Sequence, residues 1–153
     1  MGQLHPHRPA HRVISGEARA TLVSAADNPP LRAELRYRTS DPYAVQLVLS
    51  LDQSPAVSWE FARDLVVTGA FMPAGLGDVR LHPTDDGVVL ELHGVSSKAV
   101  LLLDRDDVLA FLGRCLGAVP AGQENTFFDL GDELTLLSVL PVPEAVADPS
   151  LEL

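Results

Sequence analysis

The stretch Leu31-Arg32-Ala33-Glu34-Leu35-Arg36-Tyr37-Arg38 alternates apolar and charged residues without a break. Side chains of a strand point to opposite faces in turn. Leu31, Ala33, Leu35 and Tyr37 therefore share one face, and Arg32, Glu34, Arg36 and Arg38 share the other. One face is built for a core and the other for water. Moving toward the N-terminus, Glu17 to Val23 reads as a second strand, with Asn28-Pro29-Pro30 as the turn between the two. Toward the C-terminus, Asp41-Pro42 reads as a chain break. Tyr43 to Leu51 then follows as a strand with Tyr43, Val45, Leu47, Leu49 and Leu51 inward, and Gln46 and Ser50 on the other face.

Ala56 to Glu60 is a short fourth strand, running into a helical turn or two over Phe61 to Thr68 that ends at Gly69. Asp78 to His82 and Val88 to His93 form a hairpin around Pro83-Thr84-Asp85-Asp86-Gly87. Period-two reasoning sets Val79 and Leu81 inside, facing Leu90 and Leu92, with Arg80 opposite Glu91 and Asp78 opposite His93. Lys98 to Leu103 completes the sheet. Asp104 is positioned as an N-cap, with Asp106 and Asp107 favoured in a first turn by the helix dipole. Val108, Phe111, Leu112, Cys115 and Leu116 then recur at helical spacing. Asp129 is expected to cap a second, shorter helix striped by Leu130, Leu134 and Leu137. Strands first and helices last predict an α+β domain, an antiparallel β-sheet with C-terminal helices.

A length of 153 residues suits one domain. Residues 1–16 read as a flexible N-terminal tail, 17–140 as the single domain, and 141–153 as a proline-rich C-terminal tail carrying Pro141, Pro143 and Pro149. Hydrophobic residues make up 46% and charged residues 21%, a folded rather than a disordered composition. No apolar run approaches the roughly 20 residues that cross a bilayer. The net charge of −10 argues against nucleic acid, whose affinity comes from basic residues neutralising phosphate. Cys115 is the only cysteine, which excludes an internal disulfide and implies a cytoplasmic location.

Reaction chemistry is not visible. There is no Gly-x-Ser-x-Gly elbow, and Cys115 lies on the apolar stripe of its helix, where a thiol packs as a small hydrophobe. His5, His7 and His11 lie in a Pro-interrupted segment without a scaffold for a metal, and His82 and His93 fall on outward strand faces. Gly75-Leu76-Gly77 lacks the third glycine and the following helix of a dinucleotide loop, so a turn is the better reading. The acids Asp85-Asp86 and Asp104, Asp106 and Asp107 mark a hairpin tip and a helix start. No residue is assigned a catalytic, cofactor-binding or metal role, no cofactor is expected, and the chain reads as non-enzymatic. Its partner-binding residues are unassigned.

Three spaced words run through the middle of the chain: Arg38-Thr39-Ser40-Asp41-Pro42-Tyr43-Ala44-Val45, Trp59-Glu60-Phe61-Ala62-Arg63-Asp64-Leu65, and Pro73-Ala74-Gly75-Leu76-Gly77-Asp78-Val79-Arg80. Val119-Pro120-Ala121-Gly122, then Phe128-Asp129-Leu130 with Glu133-Leu134, continue the series. In this order the words resemble the SsgA-like proteins, which control septum placement during sporulation of filamentous actinomycetes. The resemblance covers about residues 31–140. It implies a Whirly-like fold, association as a trimer, and a non-catalytic adaptor role at division septa. The implied partners are the tubulin-like ring protein FtsZ, other SsgA-like proteins, or the machinery of cell-wall remodelling. A single-stranded nucleic-acid binder of Whirly-like fold is the alternative. Within the second word, Arg63 and Asp64 could pair locally or across a subunit interface, and a local pair or a solvent-facing position is expected.

Overall fold

The alternating segments pair into a single antiparallel sheet. The computed structural model describes residues 9–128. The strands are β1 (Val13–Leu22), β2 (Pro30–Arg38), β3 (Asp41–Ser50), β4 (Val57–Ala62), β5 (Val79–Thr84), β6 (Gly87–His93) and β7 (Lys98–Leu103). Helix α1 (Arg63–Gly69) separates β4 from β5, and α2 (Arg105–Ala118) and α3 (Glu124–Phe127) follow β7. The order across the sheet is β4-β3-β2-β1-β7-β6-β5. A first meander therefore runs outward from β1 to β4, and a second runs inward from β5 until β7 docks antiparallel on β1.

The hairpin has the register that alternation predicts: Val79 opposite Leu92, Arg80 opposite Glu91 and Leu81 opposite Leu90. The His93 amide donates to the Asp78 carbonyl at 2.8 Å. The sheet is strongly curled, because Trp59 of β4 lines the same groove as Leu92 of β6, although four strands lie between them. Helix α1 packs on β3 and β4 and also against β5, so it ties the two outer strands together. Gly69 makes this approach possible, since a Cβ there would lie 2.3 Å from the Leu81 Cβ.

One core results. Leu35, Tyr37, Val45 and Leu47 meet Leu81, Leu90 and Leu101 across the curl, and Val108, Phe111, Leu112 and Cys115 of α2 fill the space between them. Asp104 caps α2 as expected, its Oδ1 accepting from the Asp107 amide at 3.0 Å. Among the described residues, no helix is long and apolar enough to cross a membrane.

The structure corrects the sequence reading at several points. Strand β1 begins at Val13, inside the stretch read as a tail. Ile14, Gly16, Ala18 and Ala20 point inward, too small a set of side chains to advertise alternation. Arg12 and Thr39 prolong the ladder through two hydrogen bonds, the Thr39 amide donating to the Arg12 carbonyl and the Arg12 amide to the Thr39 hydroxyl. Pro42 does not break the chain but lies buried within β3. The register between β2 and β3 shifts there, with Tyr37 opposite Val45 but Arg38 opposite Asp41. Such a bulge leaves residues without a ladder partner, which is where a proline can be accommodated. Tyr43, expected inward, is half exposed and meets Phe128 edge-on at 5.9 Å between ring centroids. The single turn of α3 was not anticipated. The second helix expected from Asp129, and the boundary at residue 140, lie outside the described residues.

Candidate protein-interaction site

The three long words and Val119-Pro120-Ala121-Gly122 come together in space. Arg63 opens α1 directly after β4, with its side chain only 1% exposed. Its Nη1 donates to the Val119 carbonyl at 2.6 Å and to the Tyr37 hydroxyl at 3.0 Å, and its Nη2 donates to Glu124 Oε1 at 2.8 Å. Tyr37 in turn donates to the Pro42 carbonyl at 2.9 Å, and its ring lies beneath the guanidinium at 5.4 Å. Arg63 Nε is buried and has no partner among the described residues. The planar fork of arginine reaches several acceptors at once, which a lysine ammonium cannot match in this geometry.

This placement overturns the expectation that Arg63 pairs locally or faces solvent. Its acceptors lie 26, 56 and 61 residues away in sequence. The charge is tolerated because it is paired and hydrogen-bonded. Burial pushes the Tyr37 hydroxyl up to about 12, against the opposing pull of Arg63. Glu124 is held below the usual carboxylate range, first by its own backbone amide and then by Arg63. The cluster holds no exposed nucleophile and serves to fix the end of α2 and the turn of α3 against β2 and β3.

The third word forms a rigid surface loop. Met72 and Phe71 amides donate to the Thr68 carbonyl, and Ala74 exchanges two backbone bonds with Leu81 of β5, at 2.8 and 2.9 Å. Gly75 has φ 97°, and a Cβ there would lie 2.3 Å from the Val79 carbonyl oxygen. The loop so held exposes large apolar side chains: Phe71 is 60% exposed, Met72 57% and Leu76 98%. The Arg105 guanidinium sits over the Phe71 ring at 5.7 Å. Rigid apolar groups on a surface are the raw material of a protein contact, because little freedom is lost when a partner covers them.

Among the described residues, the others singled out in the sequence do not assemble into a reaction centre. Cys115 is fully buried, and burial drives its thiol up to about 12. His93 Nε2 lies 3.3 Å from Glu91 Oε2, which also meets Lys98 Nζ at 3.4 Å, a half-exposed surface pairing. Among the described residues, no three His, Cys, Asp or Glu side chains converge as metal ligands. On the outer face, Arg32 pairs with Glu17 and Arg36 with Glu34, both at 2.8 Å, while Arg19 bridges Asp104 and Asp107. Each of these three cations is matched by a carboxylate, while Arg38, on the same face of β2, has no carboxylate partner among the described residues.

The sequence matches the family model described as Streptomyces sporulation and cell division protein, SsgA, over residues 31–124. A sporulation-specific cell division protein of Frankia casuarinae is 36% identical over 137 residues, covering 87% of this chain and 94% of that protein. The sporulation-specific cell division protein SsgB of Streptomyces coelicolor is 40% identical over 118 residues, 74% of this chain and 86% of the relative. A solved structure of SsgB, determined in connection with mutations that correlate to longitudinal cell division during sporulation of Streptomyces coelicolor, superposes with a TM-score of 0.74. It is 34% identical and covers 81% of this chain and all of its own. An SsgA-like sporulation-specific cell division protein from Thermobifida fusca superposes with a TM-score of 0.73 at 30% identity, over 86% of this chain and 98% of that one. The chain belongs to the SsgA family of sporulation and cell division proteins.

Proposed function

We propose that this protein is a non-catalytic adaptor of sporulation-specific cell division. It acts in the cytoplasm at division septa, as a small homo-oligomer of Whirly-like fold, a trimer by family analogy. Its task is to recruit or position FtsZ or the machinery of cell-wall remodelling. The observation that carries this reading is the pinned 70–77 loop with Phe71, Met72 and Leu76 outward, of which Leu76 stands within the family's own sequence word and the other two directly precede it. Apolar side chains exposed on a rigid loop cost solvation in the free protein and gain it back only against a partner. The names of the relatives supply the process in which that partner is found.

The test is co-sedimentation with GTP-assembled FtsZ from the same organism, with a Leu76→Asp variant beside the wild type. Pelleting of the wild type and its loss in the variant supports direct contact through this loop. If neither pellets while both are folded, the FtsZ contact is refuted and the adaptor must work through another division protein.

A further inference from the structure

The two edges of the curled sheet are not alike. At β5 the edge is guarded: Ala74 exchanges two backbone bonds with Leu81, and Pro83 has no amide hydrogen to offer. At β4 the edge is open. Strand β4 pairs with β3 from Leu49 opposite Val57 to Ala44 opposite Ala62. Antiparallel pairing turns the N–H and C=O of every second residue away from the partner strand. Among the described residues, no backbone group bonds to those outward amides and carbonyls of β4. Val57 is 52% exposed, and Ser58 and Glu60 are exposed beside it. An open edge of this kind is a template for one more strand.

The side chains of β4 define what that strand must carry. Val57 and Trp59 face an apolar groove shared with Leu31, Leu49 and Leu92, around a cavity of about 330 Å³. Among the groove's lining residues the polar side chains are the hydroxyls of Ser54 and Ser97, and none is charged. Ser58 and Glu60 alternate onto the other face. There Ser58 accepts from Gln46 Nε2 at 2.9 Å, while Glu60 meets no cation among the described residues. A hydrocarbon ligand would fill the groove but leave the amides of β4 unanswered. A folded surface cannot follow a strand edge into a concave groove. A single extended chain satisfies both demands: its backbone continues the ladder while alternate side chains drop into the groove. In a chain of net charge −10, the residue favoured beside Glu60 is basic.

We infer that β4 accepts one added strand from a partner protein. The strand is an extended segment that alternates aliphatic with polar residues and carries a lysine or arginine where it passes Glu60. The groove shares no lining residue with the 70–77 loop, so the added strand would occupy a second contact surface of the same molecule.

The test presents the full-length protein with a displayed library of short peptides that alternate aliphatic and polar positions, beside a library of the same composition in shuffled order. Enrichment of the alternating library is expected, with a basic residue fixed at one polar position. The enriched peptides, made synthetically, should shift Trp59 emission to the blue. Trp59 is the only tryptophan, so this signal reports on the groove. Val57→Asp should abolish binding, and Glu60→Gln should remove the preference for the basic residue. Leu76→Asp, on the other surface, should leave binding unchanged. N-methylation of the peptide backbone decides the mode of binding. A loss of about tenfold in affinity at alternate positions, with none at the positions between, is the mark of an added strand. Equal tolerance at every position would overturn strand addition, as would equal enrichment of the two libraries, no binding at all, or binding that leaves Trp59 emission unchanged. If Val57→Asp lowers the sedimentation mass of the protein without peptide, the edge belongs to a second copy, and strand addition by another protein is overturned. Should a variant not fold, the methylation scan decides on the wild type alone.

Discussion

At the scale of the residue, Arg63 carries the most consequence. Replacing it with Met keeps much of the volume but leaves the Val119 carbonyl and the Tyr37 hydroxyl without their donor in a buried site. The expected loss is on the order of 3 kcal/mol, measured as a fall in the urea midpoint. Arg63→Lys is expected to recover only part of it, because one ammonium cannot span the three acceptors. Glu124 gives this cluster a pH dependence. Its folded pKa lies below the ordinary value of 4.5, so the stabilisation is fully present above that value and is lost as pH falls through the folded pKa. Glu124→Gln should flatten the acid limb of a stability–pH profile. Glu34, Glu91 and Asp107, which are lowered in the same sense, preserve the remainder of that limb. An acid limb identical to wild type would show that Glu124 is not coupled to folding.

At the scale of the element, the 70–77 loop shows how two nearby glycines differ. Gly75 sits in the left-handed region, and any Cβ there meets the Val79 carbonyl oxygen. Gly77 stands in open space, with no atom within 4 Å of a Cβ. Gly75→Ala is therefore expected to cost about 1–3 kcal/mol and to lower the melting temperature. Gly77→Ala should stay within about 0.5 kcal/mol of wild type. Equal melting temperatures for the two variants would mean that the loop yields freely and is not preorganised. The sequence offered a turn reading for both glycines, and only the backbone of the folded loop separates them.

At the scale of the whole molecule, charge and curl decide what the surface can bind. The net charge is −10, and the outward arginines Arg19, Arg32 and Arg36 are each matched by a carboxylate. Phosphate affinity depends on unneutralised basic groups and on release of counterions. Fluorescence anisotropy with single-stranded oligonucleotides should accordingly show no saturable binding at low salt. Micromolar affinity with a steep salt dependence would instead favour the nucleic-acid alternative over the adaptor. The curl matters for a different reason. It turns a flat apolar face into a closed core at one end and a groove at the other, so two surfaces of one sheet have different fates.

The sequence by itself determined most of the strands, the inward face of β2, the register of the β5–β6 hairpin, the cap of α2 and the family. Each of these rests on neighbours close in the chain: alternation, a turn between paired segments, an aspartate three residues from the amide it caps, or words in fixed order. Only the tertiary structure decided that β7 docks on β1, that α1 joins the two outer strands, and that Pro42 is buried at a bulge. It also decided that Arg63 is a buried hub rather than a surface cation. Those outcomes depend on groups brought together from far apart in sequence, as Tyr37, Arg63, Val119 and Glu124 are. An arginine followed by an aspartate looks alike in one dimension whether it meets water or three buried acceptors, and the difference arises only when the sheet curls around it.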